Sequence, residues 1–154
     1  MNSVTNEKIS IHSFIILLFL YVFNAQVQAK EEYFEGKLLA TDQINILKIN
    51  SVRLNLKNLN DKNEAKECRK WKLTKAQIVH FFRLSINYSI SPYHYYSQTQ
   101  CDITGKLLYN REKWDFSING GATAYWKKGE EIKYFGCKDK YCDNLFIIPY
   151  SPMD

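Results

Sequence analysis

The sequence predicts an α+β fold: one main helix packed on an antiparallel β-meander of four to five strands, held by two disulfides. Three observations lead there. A capped, apolar-faced segment begins at Thr74. After Cys101 a series of alternating segments is separated by turn residues. Four cysteines stand at positions 68, 101, 137 and 142. Helical spacing marks the first, period-2 alternation the second, and an even cysteine count in a short chain the third. Composition agrees with a single globular domain: 154 residues, of which 45% are hydrophobic and 24% charged. Six Gly and three Pro exclude collagen, and the apolar fraction excludes a disordered acidic tail and a multi-span membrane protein.

The N-terminus reads as an address rather than as fold. Residues 1–13 are short and polar, 14–23 (FIILLFLYVF) are apolar, and 24–29 (NAQVQA) are polar and end in small side chains. That order is the signature of a secretory signal, with cleavage expected after Ala29. The apolar run is half of the roughly 20 residues needed to cross a bilayer. Residues 30–154 are therefore expected to form one domain in the periplasm or outside the cell, with no stable membrane anchor after cleavage.

Residues 38–59 carry strand character, most clearly at 52–57 (VRLNLK), where apolar and polar residues alternate. Residues 58–70 are the most polar stretch, a surface loop or short helix that returns Cys68 to the core. Thr74-x-x-Gln77 is a capping-box pattern, with Leu73 placed to staple against Ile78. Ala76, Ile78, Val79, Phe81, Phe82, Ser85 and Ile86 follow at helical spacing, and the helix is expected to run to about Asn87, before the Ser91-Pro92 break.

Strands are expected at 103–109, 114–119, 122–126 and 131–135, with a last apolar strand at 145–148. Asn119-Gly120-Gly121 is the strongest hairpin signal, since Asn and Gly tolerate positive φ. One helix against such a meander is similar, by analogy, to the cystatin-like arrangement. The four cysteines allow three pairings. Cys68–Cys101 and Cys137–Cys142 are favoured, the second across a short polar turn. A metal site and a catalytic cysteine are the competing readings. No cofactor and no metal is expected.

Catalytic patterns are missing from the sequence. It holds no G-x-S-x-G, H-E-x-x-H, EF-hand loop, P-loop or Rossmann fingerprint, and no carboxylate pair is selected by spacing. The net charge of +5 comes from 21 Lys and Arg against 16 Asp and Glu. No run of more than two basic residues occurs, so nucleic acid is not the expected partner. Two features suit recognition. One is Tyr93, His94, Tyr95 and Tyr96 after the helix, because Tyr gives a large contact area with a polar end. The other is Tyr125, Trp126, Lys127 and Lys128 at a hairpin tip, where cations beside aromatics suit an acidic, partly apolar surface.

Trp71-Lys72-Leu73-Thr74, Cys101-x-x-Thr104-Gly105-Lys106-Leu107, Phe116-Ser117-Ile118-Asn119-Gly120-Gly121 and Phe135-Gly136-Cys137-x4-Cys142 with Phe146 resemble a group of small uncharacterised exported proteins of Gram-negative bacteria. The resemblance implies a disulfide-bonded fold and, by the habit of such proteins, an immunity protein that blocks an envelope-targeted toxin or hydrolase. The expected function is thus occlusion of a partner protein, not catalysis. The alternatives are a small hydrolase or ligand-binding enzyme using His94, and a structural envelope protein with no discrete site.

Overall fold

The computed structural model describes residues 34–55 and 62–151. The expected signal at 1–29 and its cleavage point lie outside the described residues. Among the described residues there are two helices and eight strands: β1 (Phe34–Lys37), β2 (Ile44–Ile49), β3 (Arg53–Leu54), α1 (Lys62–Lys70), α2 (Lys75–Leu84), β4 (Ile86–Tyr88), β5 (Cys101–Tyr109), β6 (Glu112–Asn119), β7 (Thr123–Lys128) and β8 (Glu131–Gly136). Short 3-10 helices cover Tyr93–Tyr95 and Lys140–Leu145. The strands form one antiparallel sheet in the order β1-β4-β8-β7-β6-β5-β2, and β3 also pairs with β5.

The helix start follows the predicted chemistry. The Thr74 side chain accepts from the Gln77 amide at 3.2 Å, and the Gln77 side chain accepts from the Thr74 amide at 2.8 Å. The helix ends earlier than expected. Ser85 is extended, with its amide and hydroxyl both bonded to the Phe81 carbonyl. Ile86, Asn87 and Tyr88 leave the helix as β4, between β1 and β8.

The meander β5–β8 is the predicted one, and its hairpins are tight. Asn110 and Arg111 both take positive φ between the paired Tyr109 and Glu112, and Gly129 does so between Lys128 and Glu131. The sheet has eight strands rather than four or five because β4 and β1 extend one edge and β2 and β3 share the other. Two further expectations change. Residues 145–148 are not a strand: Leu145 closes a 3-10 helix, and the amides of Ile147 and Ile148 both reach the Gly120 carbonyl. Of the strand expected at 52–57, only Arg53 and Leu54 pair, and 56–57 lie outside the described residues.

Both expected disulfides are present, Cys68–Cys101 and Cys137–Cys142. The core lies between α2 and one sheet face. Ile78, Phe81 and Phe82 meet Ile103, Leu107, Trp114, Phe116, Ile118, Trp126 and Phe135, all buried. Phe82 is its hub, edge-on to Phe116, Trp126 and Phe135 at 6.2, 4.9 and 5.2 Å between ring centres. Such edge contacts are favoured by the ring quadrupoles. Phe81 meets Phe146, and the Trp71 indole donates to the Leu145 carbonyl, so the C-terminal segment closes the end of the core.

Candidate functional site

The second face of the sheet carries the site. Successive strand residues point to opposite faces, so β7 sends Ala124 and Trp126 into the core and Tyr125 and Lys127 outward. Register then places Ser117 and Tyr134 beside Tyr125. The Ser91-Pro92 break turns the chain, with Pro92 buried, and the 3-10 turn sets Tyr93 out over this face at 57% exposure. Pro92, Tyr93, Gln98, Asp102, Tyr125 and Tyr134 line a cavity of about 170 Å3. Tyr93 and Tyr125, from the two segments singled out in the sequence, thus meet at one cleft.

A neighbouring cavity of about 250 Å3 shares Ser117 and Tyr125 and is lined by Lys48, Arg53, Lys106, Lys127 and Asp115. Lys106 pairs with Asp115 at 2.6 Å and Arg53 with Asp102 at 3.7 Å. Lys48 and Lys127 have no ion-pair partner among the described residues, so this half of the face is positive.

The other candidate residues fall elsewhere. Trp126 is fully buried and Tyr96 nearly so, which corrects the expectation that they serve as surface anchors. Trp126 sits opposite Phe116 and must share its face. The Tyr96 hydroxyl bonds that of Tyr88 at 3.0 Å, and its ring lies where a Cβ on Gly136 would stand 2.4 Å away. Burial, reinforced by the Tyr88 hydroxyl, pushes the Tyr96 phenol far above its usual range. It is a structural tyrosine.

Lys128 is not a loose rim charge. It binds Glu112 at 2.8 Å and Glu131 at 3.2 Å and lies over the Trp114 ring. The Glu112 bond, with that to Glu131, holds the ammonium above its ordinary value. His94 is exposed, edge-on to Tyr93, and Tyr95 is exposed with Lys138 6.0 Å from its ring centre.

Tyr134, Lys48 and Arg53 escaped the sequence reading. Tyr134 was findable, because the Gly129 turn places it across from Tyr125. Lys48 and Arg53 reach the face through strands whose partner, β5, lies about fifty residues on, and no local signal shows that pairing. Among the described residues every cysteine is oxidised, and no group of three or more His, Cys, Asp or Glu is placed to hold a metal. The face offers ring stacking, hydroxyl and amide hydrogen bonds and positive charge.

Fold and site together define a disulfide-bonded α+β protein with an aromatic, basic outer sheet face. Comparison with known protein families, curated proteins and solved structures gives no match.

Proposed function

We propose that the chain is an exported binding protein that lays its outer sheet face on a partner protein and occludes it, the partner being an envelope-targeted toxin or hydrolase. The convergence of Tyr93 and Tyr125 on one cleft carries this reading. Exposed tyrosines at the centre of a patch are the residue type that dominates binding energy at interfaces. Lys48 and Lys127 at the side supply a positive field that speeds encounter with an acidic surface more than it tightens the complex. Two disulfides fit an oxidising compartment. Among the described residues no helix is long and apolar enough to cross a membrane.

Immunity proteins are encoded beside the toxins they block, so the test uses the product of the adjacent gene. That product, sent to the envelope, is expected to be toxic, and the present chain to neutralise it. Tyr93→Ala with Tyr125→Ala should weaken the complex about thirtyfold or more, the effect of losing one hot spot of about 2 kcal/mol. Neighbours that are harmless in the envelope, or a complex indifferent to both substitutions, would rule the reading out.

A further inference from the structure

A third cavity, remote in character from the tyrosine cleft, lies where the helical layer meets the edge of the sheet. It measures about 560 Å3 and is lined by Ile49, Val52 and Leu54 from the β2–β3 edge, by Ile103 of β5, and by Trp71 and Leu73 between the helices. Asn50, Ser51, Arg69 and Lys72 are the polar residues of the lining. The volume is that of a small-molecule site, about 300–1,000 Å3, and so is the composition, apolar walls with a few polar groups.

The walls are fixed. The Cys68–Cys101 disulfide ties the end of α1, one residue before Arg69, to β5, two residues before Ile103. Leu54 pairs with Cys101 in the sheet. The Trp71 amide bonds back to Glu67 at 3.0 Å, and its indole is anchored on the Leu145 carbonyl at 2.8 Å. A preformed cavity spares the ligand the cost of ordering the protein.

The charges at this cavity have one sign. Arg69 and Lys72 are both exposed, and neither has an ion-pair partner among the described residues; the nearby Glu67 is taken by Lys70 at 3.1 Å. Among the described residues no acidic side chain lines the cavity. Two uncommitted cations beside an apolar hollow match a ligand with an alkyl body and an anionic head, the guanidinium being suited to a planar carboxylate.

We infer that this cavity binds a free medium-chain carboxylate, its alkyl chain against Ile49, Val52 and Leu54 and its carboxylate between Arg69 and Lys72. The site touches the basic cavity of the docking face only at Asn50, which lines both, and it goes beyond the function proposed for that face.

The probe is sodium decanoate, titrated by calorimetry into the oxidised full chain below the concentration at which decanoate forms micelles. Saturable binding of one decanoate is expected, tightening about fourfold for each methylene added up to the length the cavity holds. Decyltrimethylammonium should bind at least about tenfold more weakly, the margin of a charge-assisted hydrogen bond. Arg69→Gln with Lys72→Gln, both at exposed positions, should erase that preference without moving the thermal midpoint. Val52→Trp should fill the hollow and abolish binding of either amphiphile.

Equal binding of the two head groups, binding that survives Val52→Trp, or no saturable binding would each overturn the assignment. So would retention on phosphatidylglycerol vesicles without decanoate binding, which would mark a membrane-facing surface instead. None of these readouts involves the partner of the tyrosine face, so failure here and failure there remain separate.

Discussion

Ala122 stands at φ 65°, inside the turn that Asn119-Gly120-Gly121 announces, while neither of those glycines takes positive φ. The glycines serve a different need. A Cβ on Gly121 would fall 1.8 Å from the Ser97 carbonyl oxygen, and one on Gly120 would fall 2.7 Å from the Thr99 hydroxyl. The turn is pressed against the segment between the 3-10 turn and β5, and Asn119 stitches the two together. Its side chain accepts from the Thr99 and Gly121 amides and donates to the Thr99 carbonyl. The hairpin position was therefore legible from composition, but the reason for the glycines was not, since close approach depends on a segment far outside the turn. Gly121→Ala should destabilise the protein by about 1–3 kcal/mol, because rigid backbone has to move to admit the methyl. The check is a lower urea midpoint at unchanged slope. An unaltered midpoint would mean that Ser97 yields freely.

At the scale of elements, what could be read was what is encoded locally. The start of α2 is a reciprocal pair of hydrogen bonds between residues three apart, so Thr74 and Gln77 reveal it directly. Thr74→Ala should cost about 1 kcal/mol, the usual worth of such a cap, seen as a fall in thermal midpoint. Because the two bonds are reciprocal, adding Gln77→Ala to Thr74→Ala should cost less than Gln77→Ala alone. The end of α2 was misplaced because Ser85 and Ile86 continue the helical spacing of apolar positions. Only the bonds from Ser85 back to Phe81 and the ladder offered by β8 turn the chain extended. The run at 145–148 misled for a related reason. An apolar run shows burial, not pairing, and here Phe146 is buried against Phe81 and Trp71 rather than in a ladder. Trp126 could have been placed correctly. The hairpin register that puts it opposite Phe116 follows from the turn position, and opposed residues share a face.

At the largest scale, the described residues form a sheet whose inner face is closed by α2 and whose outer face is left to Tyr93, Tyr125, Tyr134 and a set of lysines and arginines. Half of that outer site was legible as two sequence clusters. Their convergence was not, because it requires the loop after β4 to fold back over β7. Cross-links at this scale differ in what they constrain. Cys68–Cys101 joins α1 to β5 across a sequence separation of 33, whereas Cys137–Cys142 spans only 5. In the chain-entropy account, closing the longer loop restricts the unfolded chain by about 4 kcal/mol and the shorter by about 2. All four cysteines are buried, so replacing either pair with alanine also trades similar small apolar volumes. The difference between the two double variants thus isolates loop length. Cys68→Ala with Cys101→Ala should lose about 2 kcal/mol more stability than Cys137→Ala with Cys142→Ala, measured by urea unfolding of the otherwise oxidised chain. The first variant should also show a steeper dependence on urea, because its unfolded state is free to expand and exposes more surface. Equal losses with equal slopes would show that the long cross-link acts on the folded state, by holding the helical layer against β5, rather than on the unfolded chain.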